Sequence, residues 1–161
     1  DMLYGSAFSN TIEGGDGQDW LLGVAGSDTL YGEGGNDRLV GGAGKDFLNG
    51  GDGIDSFMFA AVSDSGIGAA ARDLITDFRN GTDHIDLSFI DADTNSRGID
   101  DAFAFIGNQG FGGTAGQLRT YWTADGQIVE GDVNGDSRAD FSIEVANTLF
   151  TTTLMSTDFV F

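Results

Sequence analysis

Aspartate returns every nine residues early in this chain. Asp19, Asp28, Asp37, Asp46 and Asp55 stand in one register, with Asn10 in the same place one step before them. A single aspartate beside glycine only makes a turn, but a whole row of them in register asks for chemistry. Two carboxylates about 4 Å apart repel by about 4 kcal/mol at an effective dielectric of 20, so protons or cations must lie between stacked ones. Carboxylate plus backbone carbonyl is a hard oxygen set. It suits calcium, which takes roughly six to eight such ligands, better than magnesium, which keeps its waters. Transition metals want His or Cys, and the chain has one histidine and no cysteine.

The elements that must hold these aspartates share the same period. Glycine recurs at 5, 14, 23, 32, 41 and 50, and seven residues after each comes an apolar residue: Ile12, Leu21, Leu30, Leu39, Leu48 and Phe57. Counting each of those glycines as position one, position four is glycine in all but the first repeat, at Gly17, Gly26, Gly35, Gly44 and Gly53. Glycines at positions one, two and four predict a tight turn with positive φ. The apolar residue at position eight predicts a short strand facing a core. Two nonapeptides, 18 residues, then close one coil of a flattened parallel solenoid, with coils stacked at roughly 4.8 Å. Asn10, Asp28 and Asp46 line one edge of it, and Asp19, Asp37 and Asp55 the other.

This pattern resembles the repeats-in-toxin nonapeptide family, Gly-Gly-x-Gly-x-Asp-x-apolar-x, a calcium-binding parallel β-roll. Gly14-Gly15-Asp16-Gly17-Gln18-Asp19-Trp20-Leu21-Leu22 fits fully, as do the repeats from Gly41 and Gly50; Val24 and Glu33 replace the second glycine in two others, and the first, Gly5 to Asn10, is degenerate and looks like a cap. The resemblance implies several calcium ions, about four or more, each held by repeats n and n+2. One site takes Gly15, Gly17, Asp19, Gly32, Gly34 and Asp37. A second takes Val24, Gly26, Asp28, Gly41, Ala43 and Asp46, and a third Glu33, Gly35, Asp37, Gly50, Asp52 and Asp55. A weaker one takes Ser6, Phe8, Asn10, Gly23, Ala25 and Asp28, since Asn10 brings no charge.

The repeat stops after Met58, which divides the chain into a roll of residues 1–58 and a cap of residues 59–161. Alternation of polar and apolar residues predicts strands at 73–78 and 84–87, with further strands at 102–106, 117–123, 127–132, 140–145 and 158–161. Asn80-Gly81 is a turn signal and Asp125-Gly126 a hairpin signal. The fold class expected is all-β, a parallel β-roll closed by an antiparallel β region that covers its open edge. This half resembles the C-terminal domain of serralysin-type metalloproteases through Asp73-Leu-Ile-Thr-Asp-Phe78, Gly81-Thr-Asp-His-Ile-Asp-Leu87, Ala115-Gly-Gln-Leu-Arg119, Gly131-Asp-Val-Asn-Gly-Asp136, Ala139-Asp-Phe141 and Asp158-Phe-Val-Phe161. Similar tails occur on secreted lipases and alginate-modifying enzymes, so the resemblance implies a module and not the parent's activity. It implies a secreted, extracellular calcium module of a Gram-negative exoprotein, a serralysin-like protease or another hydrolase. Its acidic-then-apolar end, Asp158 to Phe161, reads as the signal for a one-step, ATP-driven type I exporter.

Other sites are weaker. Asp132, Asn134, Asp136 and Asp140 sit at EF-hand loop positions, but Ser137 stands where that loop needs glycine and Ile143 where it needs glutamate, so an acidic β-turn is the reading. Asp64, Asp73 and Asp83 are read as solvated loop carboxylates in preference to closing the last sites of the roll. His84 has neither the second histidine of His-Glu-x-x-His nor a nucleophile-elbow motif beside it, so no catalytic residue is assigned. Trp20 and Trp122 are read as packed aromatics. A net charge of −19, from 26 acidic and 7 basic residues, excludes nucleic acid and anionic membrane as partners, and no apolar run is long enough to span a bilayer. The competing function is a polysaccharide- or surface-binding module of a carbohydrate-active enzyme or adhesin, which a glycan array separates from a calcium-dependent folding and secretion module.

Overall fold

The computed structural model describes residues 1–96, 100–147 and 152–161. In chain order the strands are β1 (Met2–Ser6), β2 (Thr11–Asp16), β3 (Trp20–Ala25), β4 (Thr29–Gly34), β5 (Arg38–Ala43), β6 (Phe47–Asn49), β7 (Ser56–Met58), β8 (Asp73–Ile75), β9 (His84–Asp86), β10 (Ala104–Phe105), β11 (Gln117–Trp122), β12 (Gly126–Asp132), β13 (Phe141–Ala146) and β14 (Phe159–Val160). Odd and even repeats part into two sheets, β1-β3-β5-β7-β9-β14 and β10-β11-β12-β13-β8-β6-β4-β2. In the nonapeptides the partners are 18 residues apart, as in Leu21↔Leu39 and Leu30↔Leu48. The architecture is all-β, a parallel roll with antiparallel strands toward its C-terminal end.

Each strand of the later nonapeptides places one apolar residue inward, and the rows face each other. Leu21, Leu39, Phe57 and Ile85 stand in register in one sheet, and Leu30, Leu48, Ile75 and Val145 in the other, all fully buried. A buried Leu or Phe contributes roughly 1.5–3 kcal/mol, and each coil has only two such residues. This thin core sets the energetic problem of the fold.

The two sheets run on past Met58. β8 stacks in parallel on β6, β9 on β7, β13 on β8 and β14 on β9. Among the described residues, antiparallel pairing, expected for the whole region after residue 58, is confined to β11, β12 and β13. Ile75 and Ile85 supply the next inward residues, so the stacking continues although the step between strands has grown. The Asp125-Gly126 hairpin joins β11 to β12 as expected, its turn closed by the Thr123 N–H donating to the Gly126 carbonyl (2.7 Å). Trp122, read from sequence as a packed aromatic, is 45% exposed at the end of β11.

The glycines divide by cause. In the five later repeats position two carries positive φ whatever stands there, including Val24 (84°) and Glu33 (71°), and position four is glycine with positive φ. Position one was expected to share that reason and does not: Gly14, Gly23, Gly32, Gly41 and Gly50 are absent from the left-handed region among the described residues. They are glycine because oxygen atoms crowd them.

Candidate metal centre

The aspartates form two stacked ladders, one on each edge of the roll. On the first, the backbone N–H of Asn10 donates to Asp28 Oδ1 (2.7 Å), that of Asp28 to Asp46 Oδ1 (2.7 Å) and that of Asp46 to Asp73 Oδ1 (2.8 Å). On the second, the N–H of Asp19 donates to Asp37 Oδ1 (2.8 Å), that of Asp37 to Asp55 Oδ1 (2.9 Å) and that of Asp55 to Asp83 Oδ1 (3.1 Å). One oxygen of each carboxylate therefore ties its coil to the coil before it. Nonapeptide spacing alone puts Asp28, Asp37, Asp46 and Asp55 in these places.

The second oxygen is different. The Oδ2 atoms of Asp19, Asp28, Asp37, Asp46, Asp55 and Asp73 are buried without any hydrogen-bond partner. A buried ionised oxygen without a partner is strongly unfavourable, so each needs a cation or a proton. Backbone carbonyls converge on the same places. A Cβ built on Gly14 would lie 2.8 Å from the Gly32 carbonyl oxygen and 3.0 Å from Asp19 Oδ2. Gly23 faces Asp28 Oδ2 and the Gly41 carbonyl, and Gly32 faces Asp37 Oδ2 and the Gly50 carbonyl, all closer still. Only glycine leaves room there, and an unpartnered carboxylate oxygen beside a carbonyl oxygen fits a hard cation. These pairs bring together Asp19 with Gly32, Asp28 with Gly41 and Asp37 with Gly50.

The other carbonyls expected as ligands are partly engaged between coils. The Gly34 carbonyl accepts from the Gly17 N–H (2.6 Å), Ala43 from Gly26 (2.9 Å), Asp52 from Gly35 (2.8 Å) and Glu33 from Asp52 (2.7 Å). A carbonyl oxygen has two lone pairs, so one such bond leaves the second free. At the first repeat, Asn10 Oδ1 accepts from both the N–H (2.7 Å) and the Oγ (3.0 Å) of Ser6, and Phe8 is 79% exposed. That end is satisfied by protein hydrogen bonds, which agrees with an uncharged terminal step. Gly15, Val24 and Ala25 lie on the same turns, at the ends of β2 and β3. Among the described residues no three His, Cys, Asp or Glu side chains converge as a metal cluster, so any ion here is shared by pairs of carboxylates with backbone oxygens.

Burial and like charge act on the ladders as Coulomb's law requires. Burial first, and then the neighbouring ladder aspartates, push Asp46 and Asp55 up to about 6 and Asp73 up to about 8. Asp37 is raised by burial and by Asp19, and Asp83 by burial and by Asp77.

Two sequence readings change. Asp73 and Asp83, taken as solvated loop carboxylates, are 0% and 2% exposed and carry the ladders beyond the nonapeptides. Their spacing to the previous rung is 27 and 28 residues, not 18: Asp73 keeps the nine-residue register but three repeats on from Asp46 would put it on the opposite edge, and Asp83 falls out of the register. Asp64 is half-buried, and its Oδ2 accepts from the N–H groups of Ala60 (2.8 Å) and Ala61 (3.0 Å). The 132–140 loop is a self-satisfied turn: Asp132 accepts from the N–H groups of Gly135 (2.7 Å) and Ser137 (2.9 Å), and Asp140 from that of Val133 (2.8 Å). His84 sits on β9 opposite Ser56. Replacing Asp37 by alanine removes a rung between two proposed sites, and calorimetric titration should show two calcium ions lost. Asp136→Ala, at an exposed turn residue, should lose none; equal losses in the two variants would sink the assignment.

A family profile described as Peptidase M10 serralysin C terminal matches residues 3–161. Among solved structures, the solution structure of the AlgE6R2 subunit from the Azotobacter vinelandii mannuronan C5-epimerase is similar at 30% identity and a TM-score of 0.72, covering 100% of this chain and 92% of that one. That of the AlgE6R3 subunit of the same epimerase is similar at 27% identity and a TM-score of 0.67, covering 97% of this chain and 80% of that one.

Proposed function

The chain belongs to the serralysin C-terminal family of peptidase M10, and from that premise we propose that it is a non-catalytic module that binds calcium along its aspartate ladders and folds with it outside the cell. The observation that carries this is the set of six buried carboxylate oxygens with no hydrogen-bond partner. Asp19, Asp37 and Asp55 on one edge, and Asp28 and Asp46 on the other, would hold the ions with carbonyls of the Gly15–Gly17, Val24–Gly26, Gly32–Gly35, Gly41–Ala43 and Gly50–Asp52 turns. Bound calcium supplies the positive charge that these oxygens lack. The protein's own part is to bring the rungs to one line through the 18-residue register and to exclude water from them.

The C-terminus supports the order of events. Asp158 is 1% exposed; its Oδ1 accepts from the Gly81 N–H (3.0 Å) and its Oδ2 from the Met155 N–H (2.8 Å). Phe159 and Val160 pair with β9. In the folded module this acidic-then-apolar end is tied down, so an exporter would read it only in the unfolded chain. Deleting residues 157–161 should stop release into the medium by a matching type I exporter. The nonapeptide sites should keep their calcium, because β14 pairs with β9 alone. Undiminished export of the truncated chain would place the signal elsewhere.

A second reading, polysaccharide binding, is favoured by the likeness to epimerase subunits and by Tyr31 and Phe47. These are 40% and 42% exposed and share a shallow cleft with Thr29, Asn49 and Thr76. A glycan array run in calcium separates it from the first.

A further inference from the structure

The inward face of β11 and β12 changes character at one end. Leu118 and Val129 on that face are fully buried core residues. Strand alternation puts Thr120 and Trp122 on the face of Leu118, and pairing sets Thr120 opposite Val129 and Trp122 opposite Gln127. Polar side chains and an open indole thus stand where the core row asks for aliphatic ones. With Phe105 and Asn108 they line a cleft of about 580 Å³, within the roughly 300–1,000 Å³ of small-ligand sites. Its polar groups have capacity to spare. Thr120 is 3% exposed, and its hydroxyl meets no protein partner among the described residues. Gln127 is 1% exposed; its Oε1 accepts from the Leu154 N–H (2.9 Å), but its Nε2 reaches only the Thr152 carbonyl, at 3.5 Å. A carboxamide has two N–H donors, so at least one is left over. The Trp122 Nε1–H donates to Thr153 Oγ1 (3.4 Å), which fixes the edge of a ring that is otherwise open to solvent.

We propose that this cleft binds a neutral sugar ring, stacked on Trp122 with its hydroxyls on Thr120, Gln127 and Asn108. Three features select that chemistry. The first is the pairing of an open aromatic face, which packs against the C–H face of a pyranose, with hydroxyl and carboxamide groups that both donate and accept, as sugar hydroxyls do. The second is the spare hydrogen-bonding capacity itself. A purely apolar ligand would expel water from Thr120 and Gln127 and leave them without partners, which is unfavourable. The third is charge. No Asp, Glu, Lys, Arg or His lines the cleft, in a chain with 26 acidic residues. An anionic ligand would find no counter-ion there and would meet the field of a chain of net charge −19, and a cationic one would find no carboxylate. No ladder aspartate lines this cleft, nor does Tyr31 or Phe47, so the site stands apart from both readings above.

Amide chemical shifts of the full folded chain, titrated with soluble neutral oligosaccharides of glucose, mannose, galactose or xylose, test this. At least one of these probes should shift the amides of Gly107, Asn108 and Trp122. In Trp122→Ala its affinity should fall about tenfold or more, since stacking and burial of the ring are both lost. Thr120→Val keeps the shape and removes the hydroxyl, and should weaken binding several-fold, whereas Tyr31→Ala should leave it unchanged. Each variant is compared at equal native circular dichroism, and the shifts of the unmodified chain need no variant. No binding by any of these sugars overturns the proposal. So do shifts confined to Tyr31, Phe47 and their neighbours, or tighter binding by an oligosaccharide of galacturonic acid than by every neutral one.

Discussion

With calcium chelated at neutral pH the chain loses its native β-sheet circular dichroism, and millimolar calcium restores it. Six buried carboxylate oxygens without a partner are the reason. Leaving a buried polar group unsatisfied costs roughly 1–3 kcal/mol, and more when it is charged. Six of them rival the whole net stability of a domain, roughly 5–15 kcal/mol. In the nonapeptide roll the core offers little to set against this, with two inward residues per coil, and the turns are rich in glycine, which loses the most backbone freedom on folding. An ion that binds only the folded state stabilises it by about 2.7 kcal/mol per site at a hundredfold excess over its dissociation constant. Extracellular calcium modules bind at roughly 10⁻⁴–10⁻³ M, far above the free calcium of a cytoplasm. A full native signal in chelator would end this account.

Acid should substitute for calcium. The folded values of Asp46 and Asp55 lie at about 6 and that of Asp73 at about 8, all above their ordinary value of 3.8. A raised value means that the folded, calcium-free chain binds these protons more tightly than the unfolded chain. The stabilisation is fully present below the ordinary value. It is lost as pH rises through about 6 for Asp46 and Asp55 and about 8 for Asp73. Each such carboxylate contributes roughly 1.4 kcal/mol per pH unit across its interval. In chelator, moving from pH 8 to pH 5 should therefore raise the denaturant midpoint and recover β-sheet signal. In calcium the same move should weaken binding, because protons and ions compete for the Oδ2 atoms. A chelated chain as unfolded at pH 5 as at pH 8 would contradict the burial of the ladders.

Much of this was legible in the sequence because the period never slips. An unbroken nine-residue spacing carries the inward row Leu21, Leu30, Leu39, Leu48 and Phe57, the 18-residue pairing and the edge on which each aspartate lies. What was not legible has two physical causes. Asp73 and Asp83 continue the ladders across loops of irregular length, and sequence distance no longer reports spatial step. Position-one glycine looks in sequence like any turn glycine. Its cause, the convergence of an aspartate oxygen with a carbonyl from the next coil, exists only once coils are stacked. The parallel pairing of β14 with β9 escaped for the first reason, since Phe159 lies 74 residues after its partner Ile85.

The split use of each carboxylate, one oxygen to the preceding coil and the other to an ion, makes the roll's length a matter of parity. Coils two repeats apart are interchangeable, since each meets its neighbours through the same N–H, the same Oδ1 and the same inward leucine. Excising residues 23–40 would bring Gly41 to the place of Gly23 with every later strand still in its own sheet. Excising nine residues would move every later strand to the opposite sheet, transfer Asp46 to the edge of Asp19, and present the C-terminal strands to the wrong face. Growth or loss by gene duplication is therefore neutral to the joints in even numbers of repeats and disruptive in odd ones, a constraint that belongs to a one-dimensional stack.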